Sequence, residues 1–119
     1  MSETTLYDRK GRPVAYVVED GAIYLWTGQA VCYIESDRLY GWNGRHLGWF
    51  KDGVLYDGRG LRMGFTRAKC PSATYAEPAK YAKYARYAKY AKYAAHAQRP
   101  LSTSSSDQDL KDFLQSGKS

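Results

Sequence analysis

Any chemistry in this chain of 119 residues has to come from a short set of side chains. The histidines are His46 and His96, and the cysteines are Cys32 and Cys70. Asp8 and Asp57 stand at one equivalent place in a repeated motif. A histidine acting as ligand or base needs cysteine or carboxylate partners at suitable spacing, and neither histidine has them. His46 falls in a hairpin loop and reads as a solvated side chain. Cys70 has Lys69 beside it, a cation that lowers a thiol pKa somewhat, but it reads as an ordinary free thiol. Asp8 and Asp57 give way to Leu25 and Gly41 in the sister copies, so they read as turn carboxylates rather than an acid–base pair. There is no phosphate loop, metal-ligand spacing or nucleophile motif. The sequence predicts a non-enzyme without metal or cofactor.

The stronger signal lies near the C-terminus. Lys80, Lys83, Arg86, Lys89 and Lys92 alternate with Tyr81, Tyr84, Tyr87, Tyr90 and Tyr93, with no acidic residue among them. Each cation near an anionic membrane contributes about 1 kcal/mol, and tyrosines sit well at headgroup level. The same pattern suits nucleic acid, with phosphates neutralised and rings stacked on unpaired bases. A third reading is a low-complexity spacer made by triplet expansion. Membrane or lipid contact ranks ahead of nucleic acid here. These ten residues are the candidate anionic-surface contacts.

The elements that would carry such a tail repeat four times. LYDRKGRPVAY, IYLWTGQAVCY, LYGWNGRHLGW and LYDGRGLRMGF align on Gly11, Gly28, Gly44 and Gly60, which are 17, 16 and 16 residues apart. A fixed period of this kind states an architecture. Apolar and aromatic residues flanking a short glycine-containing step signal a β-hairpin. Asp20-Gly21, Ser36-Asp37 and Asp52-Gly53 supply turns between copies. The sum is eight short strands in an up-and-down meander, and closing it into a barrel would satisfy every edge.

Symmetry of each copy about its glycine predicts the pairs Tyr7–Ala15, Tyr24–Cys32, Tyr40–Gly48 and Tyr56–Gly64. Each tyrosine would then lie over a small residue on the facing strand. This register puts Leu6, Val14, Tyr16 and their counterparts in the interior. It leaves Val17, Ile34 and Phe50 with the tyrosines on a second face that is too apolar to be fully solvated.

Carried on those four copies, with repeat markers Tyr7, Gly11, Tyr24, Gly28, Tyr40, Gly44, Tyr56 and Gly60, residues 6–69 resemble the four-fold β-flower domain family. The resemblance implies a shallow pseudo-four-fold β-barrel, one hairpin per petal, around an apolar channel. It implies no activity and no set of functional residues.

Composition divides the chain at about residues 71 and 99. The net charge of +6 is uneven, with 10 basic against 8 acidic residues in 1–71, 6 against 1 in 72–99, and 2 against 3 in 100–119. The expected organisation is therefore an all-β barrel domain over 1–71, an Ala-Lys-Tyr triplet segment over 72–99 that reads as helical, and a flexible tail over 100–119. Within that tail, residues 107–115 can form a short helix with Leu110, Phe113 and Leu114 on one side and Ser106 in a capping box. This helix would bind a protein partner or its own barrel. Two cysteines make no disulfide framework. No run approaches the ~18 apolar residues of a membrane span, and the N-terminus lacks the apolar core of a signal peptide. The expected location is the cytoplasm, with peripheral membrane contact. The predicted function is a binding module for an anionic membrane or an apolar ligand; the alternative is a nucleic-acid or protein adaptor acting through the C-terminal tail.

Overall fold

The computed structural model describes residues 3–77 and 108–117. Eight strands follow one another, β1 (Thr4–Tyr7), β2 (Pro13–Val17), β3 (Ala22–Leu25), β4 (Ala30–Glu35), β5 (Arg38–Gly41), β6 (His46–Lys51), β7 (Val54–Asp57) and β8 (Arg62–Phe65). Each is antiparallel to its neighbours, and β8 returns to β1, so the sheet is a closed barrel. Closure brings the two end strands together in a short seam, which limits the open edge available for edge-to-edge pairing.

The turns explain the uneven period. Within each petal the loop is three residues long and ends on the marker glycine, for example Trp42-Asn43-Gly44. The N–H of Gly44 donates to the Gly41 carbonyl at 2.9 Å, and the N–H of Gly41 donates to the Arg45 carbonyl at 2.8 Å. The marker glycines lie at φ of 87°, 100°, 89° and 83°, the left-handed region that closes such a loop and that L-residues avoid. Between petals, Ser36-Asp37 and Asp52-Gly53 have both φ values positive, the signature of a two-residue type I′ turn. The first of these junctions is one residue longer, Glu19-Asp20-Gly21, with the Gly21 N–H bonded to the Val18 carbonyl. That extra residue is why the first interval is 17 and the others 16.

The register corrects the expected one. Leu6, Ile23, Leu39 and Leu55, not the adjacent tyrosines, face Ala15, Cys32, Gly48 and Gly64. Each petal shifts register once, between Leu6 and Tyr7 and at the three equivalent places. The cause is the loop. A three-residue loop closing on Gly41–Arg45 leaves one residue too many on the second strand, and Val14, Val31, Leu47 and Met63 are absorbed as bulges. Because side chains alternate, one extra residue moves everything beyond it to the other face.

The faces therefore sort differently. The interior cluster holds Leu6, Ala15, Ile23, Leu25, Val31, Cys32, Leu39, Leu55 and Met63, with Val17, Ile34 and Phe50 packed against it. The tyrosines and second-strand aromatics form separate clusters. Each petal's second-strand aromatic stands opposite the next petal's tyrosine: Tyr16 opposite Tyr24, Tyr33 opposite Tyr40, Trp49 opposite Tyr56, and Phe65 opposite Tyr7. Tyr16 and Tyr24 stack with centroids 5.7 Å apart, and Tyr33 and Tyr40 with centroids 5.6 Å apart. An aromatic pair of this kind is worth roughly 0.5–1.5 kcal/mol beyond its area. The repeated tyrosine is thus a clasp between petals, not a cover within one.

The seam between β8 and β1 has a single Cα pair, Tyr7–Phe65, and the chain beyond β8 reinforces it. After a 3-10 turn at Arg67–Lys69, Cys70 Sγ donates to the Asp8 carbonyl at 3.4 Å, Ser72 Oγ to the Arg9 carbonyl at 2.8 Å, and the Tyr75 N–H to the Gly11 carbonyl at 2.9 Å. Residues 70–75 run along the first petal's tip as a strap.

The helix α1 (Leu110–Gln115) completes the core. Leu110, Phe113 and Leu114, the three residues expected on one side, are buried in the interior cluster. The channel implied by the resemblance is thus filled. The cap differs from the expected one, because Asp109 is the N-cap and accepts from the Asp112 N–H. Ser106 lies outside the described residues.

Candidate functional site

The turns inside the petals gather at one mouth of the barrel, and they are braced by their own side chains. Asp8 Oδ1 accepts from the N–H groups of Lys10 and Arg12 at 2.9 and 3.0 Å, and its Oδ2 takes Arg12 Nε at 2.8 Å. Asp57 Oδ1 accepts from the N–H groups of Arg59 and Leu61 at 2.8 and 3.0 Å. Asn43 Oδ1 accepts from the Arg45 N–H at 3.1 Å. Short polar side chains that mimic a turn in this way are what hold such loops. The carboxylates of Asp8 and Asp57 each spend one oxygen on backbone N–H groups of their own turn and the other on an arginine of that turn, Arg12 for Asp8 and Arg59 for Asp57.

α1 lies across this mouth. The Asn43 N–H donates to the Gly117 carbonyl at 3.0 Å, and Asn43 Nδ2 donates to the Ser116 carbonyl at 3.1 Å. Cys32 Sγ donates to the Leu114 carbonyl at 3.3 Å. Carbonyls at a helix C-terminus lack partners inside the helix, and here the barrel supplies them. Departures from the four-fold pattern follow. Gly41 stands where other petals carry Asp8, Leu25 or Asp57, and a Cβ on it would lie 2.5 Å from Gly117 Cα. A Cβ on Gly64 would meet the Leu110 methyls at 3.2 Å. The small positions leave the volume that the helix fills. Burial pushes the Cys32 thiol far up, so that it stays protonated at physiological pH, which makes it packing rather than a nucleophile.

His46 corrects the sequence reading. It is buried and opens β6 rather than sitting in a loop. Its ring lies 5.5 Å from Tyr40 and edge-on to Trp49 at 4.9 Å. The bulge turns this position outward into the aromatic layer, a consequence that composition alone could not reveal.

Charge divides the two ends of the barrel. At the α1 mouth stand Arg9, Lys10, Arg12, Arg45, Arg59, Arg62 and Lys111, seven cations against Asp8, Asp57, Asp109 and Asp112. Asp8 and Asp57 are buried, while all the cations except half-buried Arg62 are exposed. At the far end Glu3, Glu19, Asp20, Glu35, Asp37 and Asp52 outnumber Arg38, Lys51, Arg67 and Lys69. Two clefts of about 180 and 300 Å³ flank the helix start, the first lined by Arg9, Lys10, Arg12 and Arg62, the second by Arg12, Trp26 and Lys111.

A model of the family described as 4-fold beta flower protein matches residues 4–114. The chain belongs to that family. The match runs beyond the four petals and into α1, in keeping with a β-flower whose core includes this helix. No curated protein and no solved structure matches the chain.

The ten tail residues from Lys80 to Tyr93 lie outside the described residues. Among the described residues no group of His, Cys, Asp and Glu could hold a metal ion, and no helix is long and apolar enough to cross a membrane. The apolar second face expected from the sequence offers no membrane patch either, since its aromatics are buried. Tyr75 is the exposed large hydrophobic among the described residues.

Proposed function

We propose that this β-flower is a non-enzymatic binding module that seats its α1 mouth on an anionic surface, with the Lys/Tyr segment as a second contact. The observation that carries the reading is the segregation of charge along the barrel. The exposed cations cluster at one end, where two of the four competing carboxylates, Asp8 and Asp57, are buried, and the acidic end would turn away from such a surface. The braced turns fix the backbone that carries those cations, so no loop has to order on contact.

Magnitudes favour a two-part contact. Arg9, Lys10, Arg45 and Arg59 at ~1 kcal/mol each give about 4 kcal/mol, a weak, millimolar attachment. Adding Lys80, Lys83, Arg86, Lys89 and Lys92 on the same scale brings the sum to about 9 kcal/mol, enough for micromolar binding. Flotation with phosphatidylcholine vesicles, with and without a fifth of phosphatidylserine, tests this. Binding is expected to the anionic vesicles at low salt, to fall steeply with salt, and to weaken when Arg9, Lys10, Arg45 and Arg59 are changed to Glu. Absence of flotation at low salt would refute the reading, and tight binding to single-stranded oligonucleotides instead would move the chain to the adaptor class.

A further inference from the structure

We propose that the α1 mouth is a helix-recognition site whose partner is the C-terminal segment, residues 108–117, of a second copy of this chain, exchanged for the copy's own segment. The proposal stands independently of the anionic-surface reading. It begins from the way α1 is held. Three apolar anchors at positions i, i+3 and i+4, namely Leu110, Phe113 and Leu114, enter the interior cluster. That is the helix-in-groove mode by which peptides are read. The opposite side of the helix, with Lys111, Asp112 and Gln115, is exposed, so the segment occupies the mouth as a ligand occupies a groove.

The barrel also reads the end of the segment. Asn43 takes the carbonyls of Ser116 and Gly117, and the Cys32 thiol takes that of Leu114. Gly117 is required there, since a Cβ would lie 2.6 Å from Gly41 Cα and 2.7 Å from the Val31 carbonyl oxygen. The recognised pattern is therefore Leu-x-x-Phe-Leu-x-x-Gly. The receptor positions are the places where the four-fold repeat is broken, Gly41 and Asn43 among them.

Covalent attachment contributes little to this specificity. Thirty-two residues, 76–107, separate the barrel's strap from the segment. That many residues let the segment of either copy reach the mouth, so a second copy competes as its local concentration rises. The geometry of docking is the same in both cases.

A fluorescein-labelled synthetic peptide of residues 107–119 is the probe, used with the full chain. Anisotropy should show it binding the Leu114→Asp chain, whose own segment no longer competes, at least tenfold more tightly than the unaltered chain. The same peptide carrying Gly117→Leu should lose at least tenfold. A second measurement needs no variant. Alkylation of Cys32, quantified by mass spectrometry against Cys70 in the same sample, should slow when millimolar unlabelled peptide is added to the unaltered chain. A folded Leu114→Asp chain that binds no better than the unaltered one overturns the proposal. If Leu114→Asp does not fold, an alkylation rate at Cys32 that peptide leaves unchanged overturns it instead.

Discussion

Replacing Leu114 with alanine tests whether α1 is part of the core in solution. The side chain has no exposed surface and packs in the interior cluster with residues from strands all round the barrel. Those strands are tied into a closed ladder, so they cannot collapse far into the space left behind. Leu→Ala at such sites costs about 2.7–5.0 kcal/mol, and about 3 kcal/mol is expected here. For a folded unit of this size each kcal/mol moves Tm by roughly 4–8 °C, so thermal melts followed by circular dichroism should fall by roughly 12–24 °C. Lys111→Ala, on the exposed side of the same helix, should stay within about 0.5 kcal/mol. Cys32 should also become more reactive to alkylation, because a less firmly anchored α1 lifts more often from the thiol beneath it. A Leu114→Ala chain with unchanged Tm and an unreactive Cys32 would refute the reading of α1 as a core element.

Three further outcomes follow from the barrel itself. Asp57→Ala strips the acceptor from two turn N–H groups and should cost about 1–2 kcal/mol in urea denaturation; Asp57→Asn, which keeps an acceptor, should cost less than half of that. Gly48→Ala would drive a Cβ into the Tyr56 carbonyl oxygen, while at Gly64 the nearest atoms are the Leu110 methyls at 3.2 Å, which need give by only a few tenths of an ångström. The first should cost about 3 kcal/mol and the second under about 1, a contrast that paired denaturation curves would resolve. Because burial raises the folded-state pKa of Cys32, the native chain keeps a proton that an unfolded thiol loses near pH 8.5. The stability contributed at low pH is therefore lost as pH rises above about 8.5, by about 1.4 kcal/mol per pH unit. Melts from pH 8 to 10 should show this decline, and it should be smaller in Cys32→Ala.

Much of the architecture was legible in the residues. The spacing of Gly11, Gly28, Gly44 and Gly60 marks four hairpins because only a left-handed turn residue closes so short a loop, and that requirement is local. Asp8 and Asp57 were readable as turn carboxylates, since an aspartate two residues before a loop's inner N–H groups has little else to do. Leu110, Phe113 and Leu114 announce a one-sided helix by their spacing alone. Ala15, Cys32, Gly48 and Gly64 were visible as a column of small residues, but the volume they leave was assigned to tyrosine rings. Nothing local in the chain says that a helix some fifty residues after Gly64 fills it.

The parts that escaped the sequence share one physical origin. A single bulged residue per petal, Val14 and its counterparts, decides which face every later side chain takes, and a repeat is equally periodic with or without it. The tyrosine's partner lies on the next petal, so no pairing within one copy could find it. His46 changed from a loop residue to a buried ring for the same reason. The sequence by itself determined the number of strands, the turns and the family resemblance, all set by local conformational preference. Tertiary structure alone decided the faces, the aromatic seams, the occupied channel and the charged mouth, because each depends on which distant residues closure brings together.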